Sequence, residues 1–316
     1  MGERLEPGDR VVPASGPAGG RSLRDARLRL SAPFWRRPWL RAFFELMPPL
    51  AWFFLLYLTA LAVLFVSAFW SVDPFTTEVV HNWNTANFRE IATSADWRRV
   101  VYRTVGIAAA VTITDAILAF PFAYYMARLA SRRTRTLLFV LVLLPLWSSY
   151  LVRVYAWKVI LAQDGILNWS LEKIGLPGAN IGYTNTAMWL VFSYIWLPFM
   201  ILPIYAALER IPDSYIEASS DLGGRSFRTL RSVVLPLALP GIVAGSIFTF
   251  SLTLGDYITP TLVGGASSSF IGNIVYNTGL GAAGNLPFAA AFASVPLIVM
   301  AIYLLLARRL GAFEAL

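Results

Sequence analysis

Six long apolar stretches constrain the fold of this chain more than any other feature of its sequence. Each carries at most one charge and is long enough for an α-helix to cross about 30 Å of hydrocarbon at about 1.5 Å per residue. With 57% hydrophobic and 14% charged residues, the chain is too apolar for an ordinary soluble domain. It is predicted to be an all-α membrane protein with six transmembrane helices: Leu46–Trp70, Thr104–Met126, Leu137–Tyr155, Thr186–Leu208, Val233–Gly255 and Leu286–Ala307.

Proline inside several of these stretches indicates a packed bundle. Membrane helices tolerate the resulting kinks when neighbouring groups satisfy the freed carbonyl. Such packing disfavours a simple anchor or scaffold. The prolines are Pro121, Pro145, Pro198, Pro203, Pro240 and Pro296.

The distribution of Lys and Arg predicts the orientation. Nineteen of the 26 basic residues lie before the first stretch, after the sixth, or in the loops that follow the second and the fourth. Because basic residues favour the cytoplasmic side, both termini and these loops are predicted to be cytoplasmic. The predicted domains are a cytoplasmic tail at 1–45, a six-helix transmembrane domain at 46–307 and a cytoplasmic tail at 308–316.

The N-terminal tail contains two kinds of sequence. Residues 1–22 are rich in Gly, Pro, Ala and Arg and are predicted to be disordered. From Leu23 to Glu45, Arg is interleaved with Leu, Phe and Trp, a pattern typical of a segment that lies on an anionic lipid surface. A positive flank of the first helix explains the same pattern equally well.

Composition and motifs exclude several classes of function. The net charge of +8 would suit a nucleic-acid binder, but the basic residues cluster in the predicted cytoplasmic segments, so no nucleic-acid partner is predicted. The chain has no Cys and a single His, His81, so no histidine or thiolate metal cluster is predicted. Neither a Walker A motif nor a catalytic constellation is found. We therefore expect no enzymatic activity and no cofactor in this chain.

A polar, Arg-rich segment, Glu217–Pro236, separates the fourth and fifth stretches. Ser214, with Glu217 three residues later, has the form of a capping box, so a short helix is predicted to start there and to end at Gly223-Gly224. Ser226 is predicted to cap a second short helix that leads into the fifth stretch. One face of the first helix combines small and larger apolar residues and suits docking of another protein; it is formed by Tyr215, Ala218, Ser219 and Leu222.

The spacing of this segment resembles the EAA loop of permease subunits in bacterial ABC importers. The chain has Glu-Ala-Ser from Glu217, three residues, Gly223, nine residues, then Val-x-Leu-Pro from Val233. The family pattern has alanine in place of Ser219 and isoleucine in place of Val233. Three further stretches are similar to permeases of the spermidine/putrescine type: LLPLWSSYLVRVYAWKVILAQDGILN, YIWLPFMILPIYAALERIP and LGDYITPTLVGG.

The resemblance implies a type I ABC importer permease fold in the bacterial inner membrane. It also implies the partners: two ATP-binding cassette ATPase subunits that hold ATP and Mg, a second and different permease, and an extracytoplasmic substrate-binding protein. The coupling loop, residues 209–236, would seat its helix in a groove of the ATPase. Glu217 is expected to cap and dock that helix, without acting as a catalytic acid. The residues implied in coupling are Tyr215, Glu217, Ala218, Ser219, Leu222, Gly223, Leu235 and Pro236.

Few residues are candidates for contact with a solute. Asp115 lies near the middle of the second stretch, where a carboxylate is costly unless it meets water or a partner; a structural hydrogen bond or a protonated buried acid is the other interpretation. Asp256, with aromatic neighbours, would suit a polyamine or a related small cation, although Trp and Tyr are common at membrane interfaces in any case. The aromatic candidates are Tyr194, Trp196 and Tyr257.

Polyamine uptake is therefore the favoured function. The same resemblance leaves open a permease for another small solute, such as an opine or an amino-acid derivative. An ion-gradient-driven secondary transporter is the rival class, but it requires repeated halves and several intramembrane carboxylates, and only Asp115 qualifies. Outside the stretches, Ile166–Ile174 and Phe270–Tyr276 are predicted to form short helices, and Arg153 is predicted to be an interfacial anchor.

Overall fold

The computed structural model describes residues 38–265, 268–281 and 284–309. The predicted disordered segment, most of the predicted interfacial segment and residues 310–316 lie outside these ranges. The chain divides into two units, residues 1–63 and 64–316. The described part is mainly helical, and its strands form one two-stranded antiparallel sheet.

The strands and helices are numbered here in chain order. The strands are β1 Ser71–Val72 and β2 Val79–Val80. The helices are α1 Pro38–Trp52, α2 Thr59–Ser67, α3 Ala86–Thr93, α4 Ala95–Tyr124, α5 Arg132–Leu143, α6 Tyr150–Leu161, α7 Ile166–Lys173, α8 Asn185–Glu209, α9 Asp213–Asp221, α10 Ser226–Thr229, α11 Leu235–Gly255, α12 Ile258–Val263, α13 Ile271–Gly279 and α14 Leu286–Arg309. Turns of π-helix at Phe53–Leu58, Tyr125–Leu129 and Leu230–Val234 and a 3₁₀ turn at Leu144–Trp147 extend these helices.

Within the described residues, five helical segments are long and apolar enough to cross a membrane. They are Ala42–Ser67, Ala95–Leu129, Asn185–Glu209, Ser226–Gly255 and Leu286–Arg309. A sixth span exists if Arg132–Trp147 and Tyr150–Lys173, which meet at a bend of 93°, are counted as one. The five continuous segments agree with five of the predicted stretches.

The third predicted stretch, Leu137–Tyr155, is not one continuous helix: the kink predicted at Pro145 is a break with a bend of 93°. Pro145 lies in the 3₁₀ turn, and the hydroxyl of Ser148 donates to the Pro145 carbonyl at 2.7 Å. Ser148 and Ser149 both have extended backbone. A proline without an N–H and a hydroxyl that bonds the local backbone both interrupt helical hydrogen bonding, so the helix breaks here although the sequence stays apolar.

The second predicted stretch begins too late. The helix starts at Ala95, nine residues before Thr104, because Ser94 has extended backbone and Asp96 occupies the first turn. These added turns contain Arg98, Arg99 and Arg103. A prediction from hydropathy leaves them out because they are polar. The helix therefore projects beyond its apolar portion.

Helix α8 lies at the centre of the second unit and packs against α4 and α11. Its contact with α11 is close, because two glycines of α11 face it. A Cβ atom on Gly241 would lie 2.5 Å from Ala207 Cβ and 2.6 Å from the Pro203 carbonyl oxygen. One on Gly245 would lie 2.7 Å from Met200 Sδ. Small residues allow such helix approach in membranes.

The connecting segments contain the two short helices expected from sequence. Helix α7 corresponds to Ile166–Ile174, and α13 begins within Phe270–Tyr276. Asn273 fixes the start of α13, since its side chain accepts from the Phe270 N–H at 2.9 Å and donates to the Tyr257 carbonyl at 2.9 Å. In the turn between β1 and β2, hydrogen bonds from the backbone N–H groups of Thr76 and Phe75 lower the pKa of the Asp73 carboxyl.

Candidate functional site

Helix α9, which contains the predicted coupling residues, begins at Asp213, after Pro212. The predicted capping box is therefore wrong: the residue before the helix is a proline without a side-chain acceptor, and Ser214 falls inside the first turn. Glu217 is exposed on α9 and has no capping role. The predicted cap at Ser226 is also wrong, because α10 starts at Ser226 and Arg225 precedes it without a side-chain hydrogen bond.

The end of α9 agrees with the prediction and has a defined geometry. The N–H of Gly223 donates to the Ser220 carbonyl at 2.9 Å, and the N–H of Gly224 donates to the Ser219 carbonyl at 2.8 Å. This pair of bonds is a Schellman motif, and Gly223 has the left-handed backbone, φ +78°, that the motif requires. The sharp turn expected at Gly223 is thus present.

Gly224 has a different function from Gly223. A Cβ atom at Gly224 would lie 2.6 Å from the Ser219 carbonyl oxygen and 3.1 Å from Thr229 Oγ1. Because the glycine leaves this space free, the hydroxyls of Ser219 and Thr229 approach to 2.9 Å. Ser219, where the family pattern has alanine, therefore links α9 to α10 by a hydrogen bond.

The four residues of the predicted docking face lie together on one side of the loop. They line one cleft of about 530 Å³ together with Pro236, and Leu222 is 89% exposed. Leu235 and Pro236 begin α11, and the π-helical turn Leu230–Val234 lies directly before that helix. Pro236 has no N–H to donate, so the α-helical hydrogen-bond pattern is interrupted here.

Two arginines near this loop form a network that the sequence did not predict. Arg128, in the π-helical turn after α4, donates to the carbonyls of Leu208 (2.7 Å) and Ile211 and pairs with Asp213 at 2.6 Å. Arg135, on α5, donates to the carbonyls of Met126 and Ala127 at 3.0 and 2.9 Å. In the sequence both residues indicate only orientation, because no local pattern links Arg128 to carbonyls 80 and 83 residues away.

The side chain of Asp115 is fully buried in α4. Ser193 of α8 lies beside it. In the described part of the chain, the two carboxyl oxygens of Asp115 and the hydroxyl of Ser193 all lack a hydrogen-bond partner. Trp196, one turn along α8, likewise has a buried indole N–H without a partner there. Buried polar groups are normally satisfied, so each exception needs an explanation.

Asp256 is held by protein donors at the end of α11. Its carboxylate accepts from the backbone N–H of Ile258 at 2.7 Å, from the Thr259 hydroxyl at 3.0 Å and from the Tyr150 hydroxyl. The Tyr150 ring stacks on Trp196 with centroids 5.6 Å apart. The structure thus brings two predicted path residues, Trp196 and Asp256, together through Tyr150.

The other aromatic candidates lie elsewhere. Tyr194 packs against Trp157 of α6 at 5.3 Å between ring centroids, and Tyr257 stacks on Tyr276 of α13 at 4.9 Å. Arg153 was predicted to be an interfacial anchor, but its Nε and Nη1 atoms are buried and its guanidinium lies 6.0 Å from the Tyr150 ring centre. Arg153 therefore lies beside Tyr150, which also contacts Trp196 and Asp256.

Comparison with known proteins identifies the family. Residues 119–312 match the family "binding-protein-dependent transport system inner membrane component". This match includes the coupling loop, α8 and α11. The chain belongs to this family.

Two relatives are similar to the permease over most of its length or about two thirds of it. It is 48% identical over 301 residues to the inner membrane ABC transporter permease protein YdcU of Escherichia coli, covering 91% of this chain and 95% of the relative. It is 35% identical over 208 residues to the spermidine/putrescine transport system permease protein PotB of Haemophilus influenzae, covering 65% and 72%. The permease is a multi-pass inner-membrane protein and the membrane subunit of an ABC importer.

Solved structures confirm the predicted fold class. A bacterial alginate ABC transporter, in complex with a periplasmic protein bound to alginate pentasaccharide, has a TM-score of 0.69 at 18% identity, covering 91% of the permease and 98% of that chain. The methionine transporter MetNI, in an inward-facing form, has a TM-score of 0.51 at 20% identity, covering 69% and 95%. The permease therefore has the type I ABC importer fold.

Replacing Tyr150 with phenylalanine is expected to destabilise the permease by about 1–3 kcal/mol. The change removes the hydroxyl that donates to Asp256 and leaves a partly buried carboxylate short of one donor. Thermal unfolding of the detergent-solubilised protein measures the loss. Tyr155→Phe, at an exposed tyrosine of the same helix, is the control; equal unfolding temperatures for the two variants would contradict the prediction.

Proposed function

We propose that this permease forms half of the translocation path of an ATP-driven polyamine importer and receives its power stroke through α9. The observation that carries the coupling assignment is the exposed docking face closed by the Gly223 turn. That face needs a partner, and the chain has no nucleotide-binding motif of its own. ATP and Mg are therefore assigned to the partner ATPase.

The proposed assembly has two ATPase subunits, a second and different permease, and an extracytoplasmic binding protein. One similar structure is of a transporter bound to a periplasmic protein, which supports the binding-protein partner. Both termini and the coupling loop are assigned to the cytoplasm, because the basic residues cluster there.

Purification of the tagged permease from its native membrane tests this assembly. We expect an ATPase subunit to co-purify and uptake by reconstituted complexes to require ATP. Uptake that depends only on a proton or sodium gradient would reject the proposal in favour of a secondary transporter.

The proposed solute is spermidine, putrescine or a related small cation. The name of the PotB relative supports this class, whereas the name of YdcU specifies no solute. Asp115 supplies the chemistry: a buried carboxylate with no hydrogen-bond partner among the described residues would gain most from a cationic group. Since the side chain is covered in this structure, a solute reaches it only after the helices around it separate, as alternating access requires.

Tyr194, Trp196, Asp256 and Tyr257 remain proposed parts of this path. The bonds of Asp256 to Tyr150, Ile258 and Thr259 favour a positioning contribution over direct solute contact. Thermal shift of the cognate binding protein with spermidine, putrescine, an opine and an amino acid would identify the solute. Stabilisation by a non-cationic ligand alone would reject a polyamine and leave the importer assignment intact.

Replacing Asp115 with asparagine is expected to reduce polyamine uptake at least about tenfold, which corresponds to about 1.4 kcal/mol of lost interaction. The variant keeps the shape of the side chain and removes its charge. Uptake of labelled putrescine by reconstituted complexes measures the effect. Asp96→Asn, at an exposed aspartate of the same helix, is the control; full uptake by Asp115→Asn would remove Asp115 from the path.

A further inference from the structure

Arg128 lies where three elements of the permease meet. It is in the π-helical turn Tyr125–Leu129 that ends the α4 span. Its guanidinium reaches the end of α8 through the Leu208 carbonyl, the following turn through the Ile211 carbonyl, and the start of α9 through the Asp213 carboxylate. One side chain therefore holds the two ends of the α8–α9 connection against a different membrane span.

These bonds reach buried backbone carbonyls at the end of α8 and in the turn that follows it. The Leu208 carbonyl lies in the last turn of α8, where carbonyls lack donors from within the helix, and it also accepts from the Ile211 N–H at 3.3 Å. Leu208 and Ile211 are both buried. A guanidinium offers several donors in one plane, so it can bond two carbonyls and a carboxylate at once, which a lysine ammonium on a flexible stem does with less geometric control. The negative end of the α8 dipole also favours a cation at this position.

The burial of the two charged partners shows which bonds matter. The Arg128 side chain is 12% exposed, whereas the Asp213 side chain is 82% exposed. Ion pairs with an exposed partner contribute little, so the carbonyl bonds carry most of the interaction. Arg128 is a mostly buried side chain, and its carboxylate partner Asp213 lies at the surface.

A second arginine stiffens the same junction. Arg135 of α5 bonds the carbonyls of Met126 and Ala127, which the end of the α4 span leaves without donors, and lies 3.7 Å from Glu209 at the end of α8. The π-helical turn that carries Arg128 is thus fixed from both sides. Because hydrogen bonds fix the turn on both sides, a displacement of one neighbouring helix is transmitted to the other.

We propose that Arg128 is a positioning residue for energy coupling: it fixes the angle of α9 on the permease so that a displacement of α9 moves α4 and α8 together. The inference rests on the proposed function, since it assumes that α9 receives the power stroke. It concerns a residue outside the segment that resembles the EAA loop. Without the guanidinium, α9 would remain docked on its ATPase but pivot at Pro212.

The test compares Arg128→Gln and Arg128→Lys with Arg133→Gln, which removes the same charge from an exposed arginine on α5. The readout is solute imported per ATP hydrolysed by complete reconstituted complexes. We expect Arg128→Gln to lower this ratio at least fivefold with ATPase subunits retained, Arg128→Lys to give an intermediate ratio, and Arg133→Gln to match the unmodified permease. An unchanged ratio in Arg128→Gln would overturn the proposal.

If Arg128→Gln fails to accumulate, Arg128→Lys decides the question. A ratio equal to that of the unmodified complex, or loss of the ATPase subunits, would overturn the positioning role; a lowered ratio with the subunits retained supports it. Because the chain has no Cys, spin labels at Ser214→Cys and Arg132→Cys report the seating of α9 directly, and we expect a broader distance distribution in the Arg128 variants. An unmodified complex that imports nothing refutes the proposed function, whereas normal import by every variant refutes only the role of Arg128.

Discussion

Replacing Gly223 with valine is expected to leave the permease in the membrane and to lower ATP-dependent uptake at least about tenfold. Gly223 has φ +78°, a conformation in which a β-branched residue is strained by about 1–3 kcal/mol. A Cβ atom there would meet nothing within 4 Å, so the cost is conformational and does not come from a clash. Relief of that strain changes the turn that orients the docking face.

Gly175 offers a matched control for this prediction. It also has φ +78° and open space for a Cβ atom, and it ends α7 with the same two hydrogen bonds, from Gly175 to Glu172 and from Leu176 to Leu171. Gly175→Val therefore imposes the same backbone strain in a loop predicted to lie on the other side of the membrane. We expect it to keep the ratio of uptake to ATP hydrolysis. Normal transport by Gly223→Val would count against the coupling assignment.

Replacing Gly241 with valine is expected to remove most of the folded permease. Its Cβ atom would lie 2.5 Å from Ala207 Cβ and 2.6 Å from the Pro203 carbonyl oxygen, so α8 and α11 must separate along a buried contact. Overpacking of this kind costs about 1–3 kcal/mol and occasionally more. Size-exclusion chromatography of the detergent-solubilised protein and its unfolding temperature measure the loss.

Gly106→Val is the control for this substitution. Gly106 lies in the α4 span, and a Cβ atom there would meet nothing within 4 Å, so the variant makes the same exchange in a membrane helix without the clash. In the double variant Ala207→Gly with Gly241→Val, the backbone oxygen of Pro203 still blocks the Cβ atom, so little recovery is expected. A yield of Gly241→Val equal to that of Gly106→Val would show that the two helices are less closely packed than described.

The sequence predicted the positions of the spans because a bilayer demands long apolar helices wherever a chain crosses it. It missed their ends for the same reason: the helix from Ala95 continues through arginine-bearing turns outside the hydrocarbon, where hydropathy no longer indicates structure. The break after Trp147 was missed because the residues on both sides of it are apolar. Pro145 was read as a kink, and only the extended backbone of the two serines turns it into a bend of 93°.

In the coupling loop, a motif predicted the structure correctly where only one backbone geometry is compatible with it. The glycine spacing predicted a turn that only a left-handed residue makes well, and Gly223 makes it. The capping box required Ser214 to precede the helix, whereas Pro212, two residues earlier, occupies that position. The partners of Arg128 and the burial of Asp115 beside Ser193 could not be predicted, because both depend on helix packing that no single segment of the sequence encodes.

The shortness of the link between α8 and α9 has a mechanical consequence. Only Arg210, Ile211 and Pro212 separate the two helices, and beyond the Gly223 turn the chain enters a single continuous helix that ends at Gly255. A force applied to α9 therefore acts at once on both members of the glycine-packed pair, α8 and α11. Because a Cβ atom at Gly241 or Gly245 would collide with α8, the two helices are in close contact, and we expect them to move together when α9 is displaced.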